Sequence, residues 1–332
     1  MISVALIGLG WWGKTMARLL GSSSRLKLVR VVDIDPAGAE LARQMGVRFS
    51  TSYADALADP EVQAVILCTP HAQHREQILA AVAARKHVFC EKPLALNRAD
   101  AAECVEACRA AKLVLGIGHE RRFEPPIIEL RQLLAKGTLG TPLQIEANFS
   151  QDKFLNLPVD NWRLSAKDAP AGPMTATGIH LLDLSVSLLG PARRVVAHVG
   201  QLGSQLRNGD TLAVLVGFAS GANALISAML ATPFVGRFAL YGNKGWAEIV
   251  DKAHPEASEG WVMTTCLRGA KREVREFAAA PAVLTNLEAF GDAVAGKAPY
   301  PVTDAELVGT IAALEAVFDS ARQGGTVATV PG

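Results

Sequence analysis

The chain has no apolar run approaching the ~20 residues that a membrane-crossing helix needs, so no such anchor is expected. It also has no excess of either charge: 33 Lys and Arg stand against 32 Asp and Glu, a formal net charge of +1. No basic stretch carries interleaved aromatics, and nucleic acid is therefore excluded as an expected partner. Cysteines are few. Cys68, Cys90, Cys104, Cys108 and Cys266 form an odd set without C-x-x-C spacing, which argues against a disulfide framework or a closed zinc site. Cys104 and Cys108 lie four apart on an expected helix and read as small buried hydrophobes, so no metal is expected. The N-terminus lacks the basic stretch of a secretory signal, and a cytoplasmic location is the expectation. There is no internal repeat and no low-complexity tract.

What is present is enough for two cores. The 332 residues are 50% hydrophobic and 20% charged, ordinary proportions for a globular chain long enough for two domains. The first third alternates strand patterns (2–7, 27–33, 64–68, 87–90, 113–118) with helical ones (12–21, 36–45, 72–84, 97–111). Such alternation predicts a doubly wound α/β Rossmann domain on a parallel sheet, over residues 1–120. After a helix at 124–136, longer strand patterns follow at 142–150, 193–203, 211–219, 222–230 and 235–242, some joined by glycine turns. Helices are expected at 175–189, 283–295 and 303–323. Residues 121–332 therefore read as one α+β domain with a largely antiparallel open sheet, for substrate binding and oligomerisation. The helix at 303–323 is expected to pack back on the Rossmann domain.

The first strand runs into Gly8-Leu9-Gly10-Trp11-Trp12-Gly13 and then a helical pattern. The first glycine permits a tight turn, the second lets backbone approach a pyrophosphate, and the third lets helix pack on strand. The helix N-terminus then faces the phosphates. The second strand ends in Asp33, about twenty residues beyond Gly13, where a carboxylate meets an adenosine ribose. Asp33 would repel a 2′-phosphate and Ile34 offers no cation for one, so NAD is favoured over NADP. Gly8, Gly10, Trp11, Trp12, Gly13 and Asp33 are the first cofactor-binding candidates.

Two further strand ends point into the same crevice. Cys68-Thr69-Pro70-His71-Ala72-Gln73-His74 follows one strand, placing Thr69 and Pro70 at the cofactor; His71 and His74 read equally well as a solvated helix start. Another strand ends in Glu91-Lys92-Pro93, where proline restricts the backbone and aims Lys92. A lysine there could hold the charge developing on a substrate oxygen. Later, Thr175-Ala176-Thr177-Gly178-Ile179-His180-Leu181-Leu182-Asp183 opens an apolar helix. The unperturbed pKa of a histidine side chain suits it to relay a proton, which makes His180 a candidate, and Asp183 could share its face. Arg121 and Arg122 either reach an acidic substrate or sit as solvated arginines at a helix start.

These segments together resemble the glucose–fructose oxidoreductase / inositol dehydrogenase / MocA (Gfo/Idh/MocA) oxidoreductases. The resemblance rests on the Gly8–Gly13 fingerprint, Thr69-Pro70 with His74, Glu91-Lys92-Pro93, Trp162-Arg163, Gly178-x-His180-x-x-Asp183 and Phe318-Asp319-Ser320-Ala321. It implies an NAD-dependent hydride-transferring dehydrogenase that interconverts a hydroxyl and a carbonyl on a sugar, cyclitol or related diol. It implies that Lys92 and His180 are catalytic and also bind substrate, with Arg163 beside them; Arg122 is a further substrate-binding candidate from its place after the last Rossmann strand. His74, Glu91 and Lys92 join the cofactor-binding set. It further implies a homo-oligomer, dimer or tetramer, through the open sheet. Many members carry an aspartate four residues before the histidine, where this chain has Ala176. His180 would then rely on Asp183, Thr177 or water. The rival reading is a dinucleotide-binding regulator or pseudoenzyme without turnover.

Overall fold

The computed structural model describes residues 1–330 and divides into two compact units. The first unit comprises Met1–Glu120 and Val283–Val308; the second comprises Arg121–Ala282 and the chain from Gly309 on.

In the first unit, β1 (Ile2–Ile7), β2 (Leu26–Val32), β3 (Arg48–Ser50), β4 (Ala64–Leu67), β5 (His87–Cys90) and β6 (Leu115–Ile117) form a parallel sheet. Their order is β3-β2-β1-β4-β5-β6. The direction of winding reverses between β1 and β4, which opens a crevice beyond their carboxyl ends. Helices α1 (Trp11–Leu20), α2 (Gly38–Gln44), α3 (Tyr53–Ala58), α4 (His74–Ala83) and α5 (Arg98–Ala110) link the strands. Central strands such as β4 (Ala-Val-Ile-Leu) are buried at every position, which explains why they show no alternation of apolar and polar residues. The sequence reading missed β3 and α3, which are only 3 and 6 residues long.

The second unit contains α6 (Pro125–Ala135), β7 (Pro142–Ser150), α7 (Ile179–Leu189) and β8 (Ala192–Gly200). It continues with β9 (Thr211–Phe218), β10 (Asn223–Met229), β11 (Val235–Gly242), β12 (Gly245–Asp251), β13 (Trp261–Leu267) and β14 (Glu273–Phe277). Helix α8 (Ala282–Val294), helix α9 (Asp304–Arg322) and β15 (Ala328–Thr329) complete the chain. The nine strands lie in the order β14-β13-β12-β11-β7-β10-β9-β8-β15, antiparallel except for β7 beside β10. Alternation sorts the faces. Ile145, Ala147, Phe149, Ala224, Ile226 and Phe238 are buried, while Leu215 and Leu225, directly opposite each other, are over 40% exposed.

The expectation that residues 121–332 form one domain is corrected. Most of α8 and the segment after it return to the first unit because their side chains complete its core. Leu287 and Phe290 join Val4, Leu6, Leu26 and Phe89. The Phe89 and Phe290 rings meet edge to face at 5.6 Å, and a side chain at Gly116 would collide with both. Asn286 and Tyr300 bond the Ile117 backbone, and Glu288 accepts from Ser23 and Ser24. Helix α9 is divided between the units: its first turn groups with the first, and from Gly309 on it belongs to the second. Ser320 on α9 accepts the Ala197 N–H of β8, and Thr310 donates to Asp183.

Candidate active-site residues

In the first unit, three strand ends build a dinucleotide cradle from backbone. Gly8 has φ +94°, and a Cβ there would lie 2.9 Å from the Cys68 carbonyl oxygen. At Gly13 a Cβ would fall 1.9 Å from the Gly8 oxygen, so only glycine lets α1 approach β1 this closely. At Gly10 a Cβ would meet nothing within 4 Å, which leaves open space against the backbone. Helix α1 starts there with no side-chain cap and no acidic residue in its first turn. Its amide N–H groups remain available to an anion, aided by the helix dipole. Asp33 closes the cradle: one carboxylate oxygen accepts the Leu9 N–H and the other accepts the Asp35 N–H at 2.8 Å. An anion cradle at a helix N-terminus, with a carboxylate fixed beside it, fits a dinucleotide with a free ribose diol.

The two tryptophans divide. Trp11 is 51% exposed, whereas Trp12 packs on the sheet core.

Thr69 and Pro70 follow β4, and the Thr69 hydroxyl bonds Gln77 at 2.5 Å. His74 is fully buried, with Nδ1 2.8 Å from the Pro93 carbonyl and Nε2 3.1 Å from the Thr69 carbonyl. Burial holds its pKa below the usual histidine range, against both carbonyls. His74 was expected at the cofactor. It instead ties the two loops that follow β4 and β5. His71 is also buried, so the solvated helix start does not apply to either ring. Glu91 is buried, accepts the Lys92 N–H at 3.2 Å, and lies where any side chain at Gly118 would collide with it. Lys92 is half-buried at the carboxyl end of β5.

In the second unit, His180 is the second residue of α7, and a π-helical turn, Met174–Gly178, leads into it. Such widened turns recur where a helix must aim a side chain. Ala176 in this turn packs with Leu164, Leu206, Leu230, Phe154 and Leu157. The Thr177 hydroxyl donates to the Pro173 carbonyl at 3.2 Å, so its proton is committed to its own turn. The His180 ring lies 6.1 Å from the ring of Phe149 on β7.

Arg122 and Asp183 are paired. The guanidinium bonds both oxygens of Asp183 at 2.7 Å, and both side chains are almost fully buried. A fork-to-fork pair of this kind braces both side chains. Arg121 is 1% exposed and is neither solvated nor directed at a substrate. It bonds Asp251 at 2.8 Å and Glu124 at 3.0 Å, and Trp261 donates to Asp251 at 2.8 Å. Burial, reinforced by the negative charge of Asp251, pushes Glu124 up to about 7, while Arg121 pulls the other way. A side chain at Gly236 would occupy the space of the Asp251 carboxylate.

Around Phe149 stand Phe234 at 6.1 Å and His254 at 5.8 Å. His254 Nε2 bonds Gln151 at 2.7 Å, and Nδ1 faces the Lys153 ammonium at 3.0 Å and accepts the Glu256 N–H. Burial and then the Lys153 charge lower its pKa to about 4. Arg163 stacks on Trp162 at 4.4 Å, and Asn208 bonds its carbonyl at 2.7 Å. Phe149, Asp251, His254 and Trp261 were not legible as site residues. The one available signal was the adjacent pair Arg121-Arg122, since two arginines at a domain boundary call for carboxylates from elsewhere. Among the described residues, no cluster of three or more His, Cys, Asp or Glu is arranged to hold a metal. No helix among them is long and apolar enough to cross a membrane.

Comparison with known proteins agrees with this construction. Residues 2–119 match the model of an oxidoreductase family with an NAD-binding Rossmann fold, and residues 127–248 match the GFO/IDH/MocA C-terminal domain. The chain is 33% identical over 294 residues to 1,5-anhydro-D-fructose reductase of Ensifer adhaerens, covering 86% of each. Among solved structures, aldose-aldose oxidoreductase from Caulobacter crescentus superimposes with a TM-score of 0.87 at 26% identity, covering 99% of each chain. Levoglucosan dehydrogenase in complex with NADH and levoglucosan shares the fold, with a TM-score of 0.87, 20% identity and full coverage of both chains. The chain belongs to the GFO/IDH/MocA oxidoreductase family and carries its NAD-binding Rossmann fold.

Proposed function

We propose that this oxidoreductase interconverts a hydroxyl and a carbonyl on a small polyhydroxylated ring, a sugar, cyclitol or related diol, with NAD in preference to NADP. The observation that carries the reading is Asp33, whose carboxylate is pinned by the Leu9 and Asp35 amides at the glycine turn. A fixed negative charge at that point accepts ribose hydroxyls and repels a 2′-phosphate, and the next residue, Ile34, brings no cation. When bound, NAD supplies the nicotinamide that takes or gives the hydride. Lys92 holds the substrate oxygen and its developing negative charge through its ammonium. His180 accepts the hydroxyl proton in oxidation and returns it in reduction. Arg163, with its guanidinium laid on Trp162, contacts the substrate. The sugar substrates named for the relatives support the substrate class.

The same reading includes a homo-oligomer, dimer or tetramer, and a cytoplasmic location. The face of the nine-stranded sheet bearing Leu215 and Leu225 supports the first. The free thiols Cys90, Cys104, Cys108 and Cys266 support the second. The test is a panel of anhydrosugars, aldoses and inositols followed by NADH absorbance, with calorimetry of NAD and NADP on the same protein. Turnover of at least one panel member with NAD, and tighter NAD than NADP, is the expected result. NAD binding without turnover across the panel would favour a regulator, and tighter NADP would remove the role given to Asp33.

A further inference from the structure

We infer that Asn208 is the positioning residue that sets Arg163 for substrate binding. The inference rests on the substrate contact proposed for Arg163 above. Arg163 lies in a short helical turn, Trp162–Leu164, between β7 and α7. Its backbone N–H and its carbonyl are both held by side-chain amides. The N–H donates to the Asn161 oxygen at 3.0 Å, a local cap from two residues away. The carbonyl accepts from the Asn208 amide nitrogen at 2.7 Å, a bond that reaches across 45 positions. The same nitrogen donates to the Ala169 carbonyl at 2.8 Å, so one side chain ties both sides of the bend from Arg163 to Ala169.

Asn208 is itself held in place. It is 6% exposed and lies in the connection from β8 to β9. Its own carbonyl accepts the Gly172 N–H at 2.7 Å, and a Cβ at Gly172 would lie only 2.7 Å from its side-chain atoms. Gly209 follows with φ +95°, where a Cβ would lie 2.5 Å from a methyl of Val199. Asp210 then gathers the connection. Its carboxylate accepts the Leu202 and Gly203 N–H groups at 2.9 and 2.8 Å and the Ser204 hydroxyl at 2.8 Å. Leu206 from this connection packs in one apolar cluster with Leu164, the residue after Arg163. Support thus runs from the sheet to the connection, from Asn208 to the Arg163 backbone, and from that backbone to the guanidinium laid over Trp162 at 4.4 Å. A backbone held at both its N–H and its carbonyl fixes the direction in which a long side chain leaves. Ordering a mobile loop on binding costs affinity, and a loop already fixed avoids that cost.

The test replaces Asn208 by alanine in the full chain, alone and together with Arg163→Ala, on a panel substrate that wild type turns over. Asn208→Ala is expected to raise KM about tenfold, with kcat within about threefold and NAD affinity unchanged, the pattern of lost substrate binding. In the Arg163→Ala background the same substitution should change KM by less than about twofold, because the side chain it positions is gone. Equal losses in KM in the two backgrounds overturn the inference, as does a fall in kcat at unchanged KM. A second readout needs no substrate. Trp162 emission, taken as the difference between each protein and its Trp162→Phe counterpart, should shift in Asn208→Ala as the stacked Arg163 moves. Unmoved Trp162 emission overturns the inference too. If wild type turns over nothing on the panel, the functional reading fails, while the emission comparison still decides whether Asn208 fixes Arg163. Should Asn208→Ala not fold, Asn208→Ser takes its place in every arm.

Discussion

The dinucleotide cradle and the surroundings of His180 are built by opposite means. The cradle is mostly backbone: two glycines whose missing Cβ atoms make close approaches, a third that leaves open space, and an uncapped helix start. Its one fixed side chain, Asp33, is caught by amides only 24 and 2 residues away. Around His180 the parts are side chains from distant sequence. Arg121 and Asp251 are 130 positions apart, and Arg122 and Asp183 are 61. Local backbone geometry tolerates few substitutions and therefore leaves a motif. Long-range pairing admits many solutions and leaves none. The first arrangement suits a cofactor that is the same throughout a family, and the second suits substrates that vary.

Lys92 gives the largest expected effect. It stands on the backbone-built side, half-buried at the end of β5. Lys92→Ala should reduce kcat by about 10²–10³-fold, the range for removing one group that stabilises a developing oxyanion. The melting temperature and NAD affinity should stay close to wild type, because no core side chain is lost. Turnover within about threefold of wild type would take Lys92 out of the chemistry.

Asp183→Asn probes the other construction and should act on stability before chemistry. It keeps the shape of the side chain but leaves the buried Arg122 charge without its carboxylate. Breaking one partner of a buried pair costs about 3–5 kcal/mol. Denaturant unfolding should show a loss of that order with little change in NAD binding. A variant as stable as wild type but catalytically dead would instead return Asp183 to the role of a direct partner of His180.

What the sequence reveals follows the same division. The parallel strands other than β3, the glycine turn and the lysine after β5 are written in short contiguous segments, and they fall where periodicity and turn chemistry place them. Strands β12, β13, β14 and β15 escaped; of these the edge strand β14, Glu-Val-Arg-Glu-Phe, is exposed at four of its five positions and reads as a polar connection. The return of α8 escaped because its apolar face gives no sign of which core it completes. Arg121 and Arg122 were read as solvated or substrate-facing, since nothing near them in sequence discloses the carboxylates that bury them. His74 was read from its neighbours in the motif, while its partner carbonyl at Pro93 lies 19 residues further on.

Ala176→Asp sharpens the comparison by importing a motif residue into a context that has been rebuilt around its absence. The new carboxylate would enter the cluster of Leu164, Leu206 and Leu230. Burying a polar group without prepared partners costs about 1–3 kcal/mol. We expect a lowered melting temperature and no gain in kcat. A stable variant with raised kcat would mean that the turn accepts the carboxylate and that His180 is short of one.

The smallest effect concerns His254, at the rim of the Phe149 cluster. Its folded-state pKa is lowered to about 4, first by burial and then by the Lys153 charge. The hydrogen bonds describe a neutral ring, with Nδ1 accepting from Lys153 and from the Glu256 amide and Nε2–H donating to Gln151. The unfolded chain takes up a proton near pH 6.5, whereas the fold resists it until about pH 4. The stabilisation from the neutral ring is therefore complete above about pH 6.5 and is lost as pH falls toward 4. Glu124 works in the opposite sense, because its raised pKa makes the fold bind a proton more readily than the unfolded chain, and stability falls as pH rises from about 4.5 to 7. That contribution is common to wild type and His254→Gln and cancels in their difference. The difference should then run one way: between pH 6.5 and 4, wild type loses stability relative to His254→Gln, with a slope below the limit of about 1.4 kcal/mol per pH unit for one proton. Melting curves at half-unit intervals of pH measure it. Two parallel profiles would mean that His254 is as easily protonated in the fold as in the unfolded chain, and that the ring beside Phe149 carries charge at mildly acidic pH.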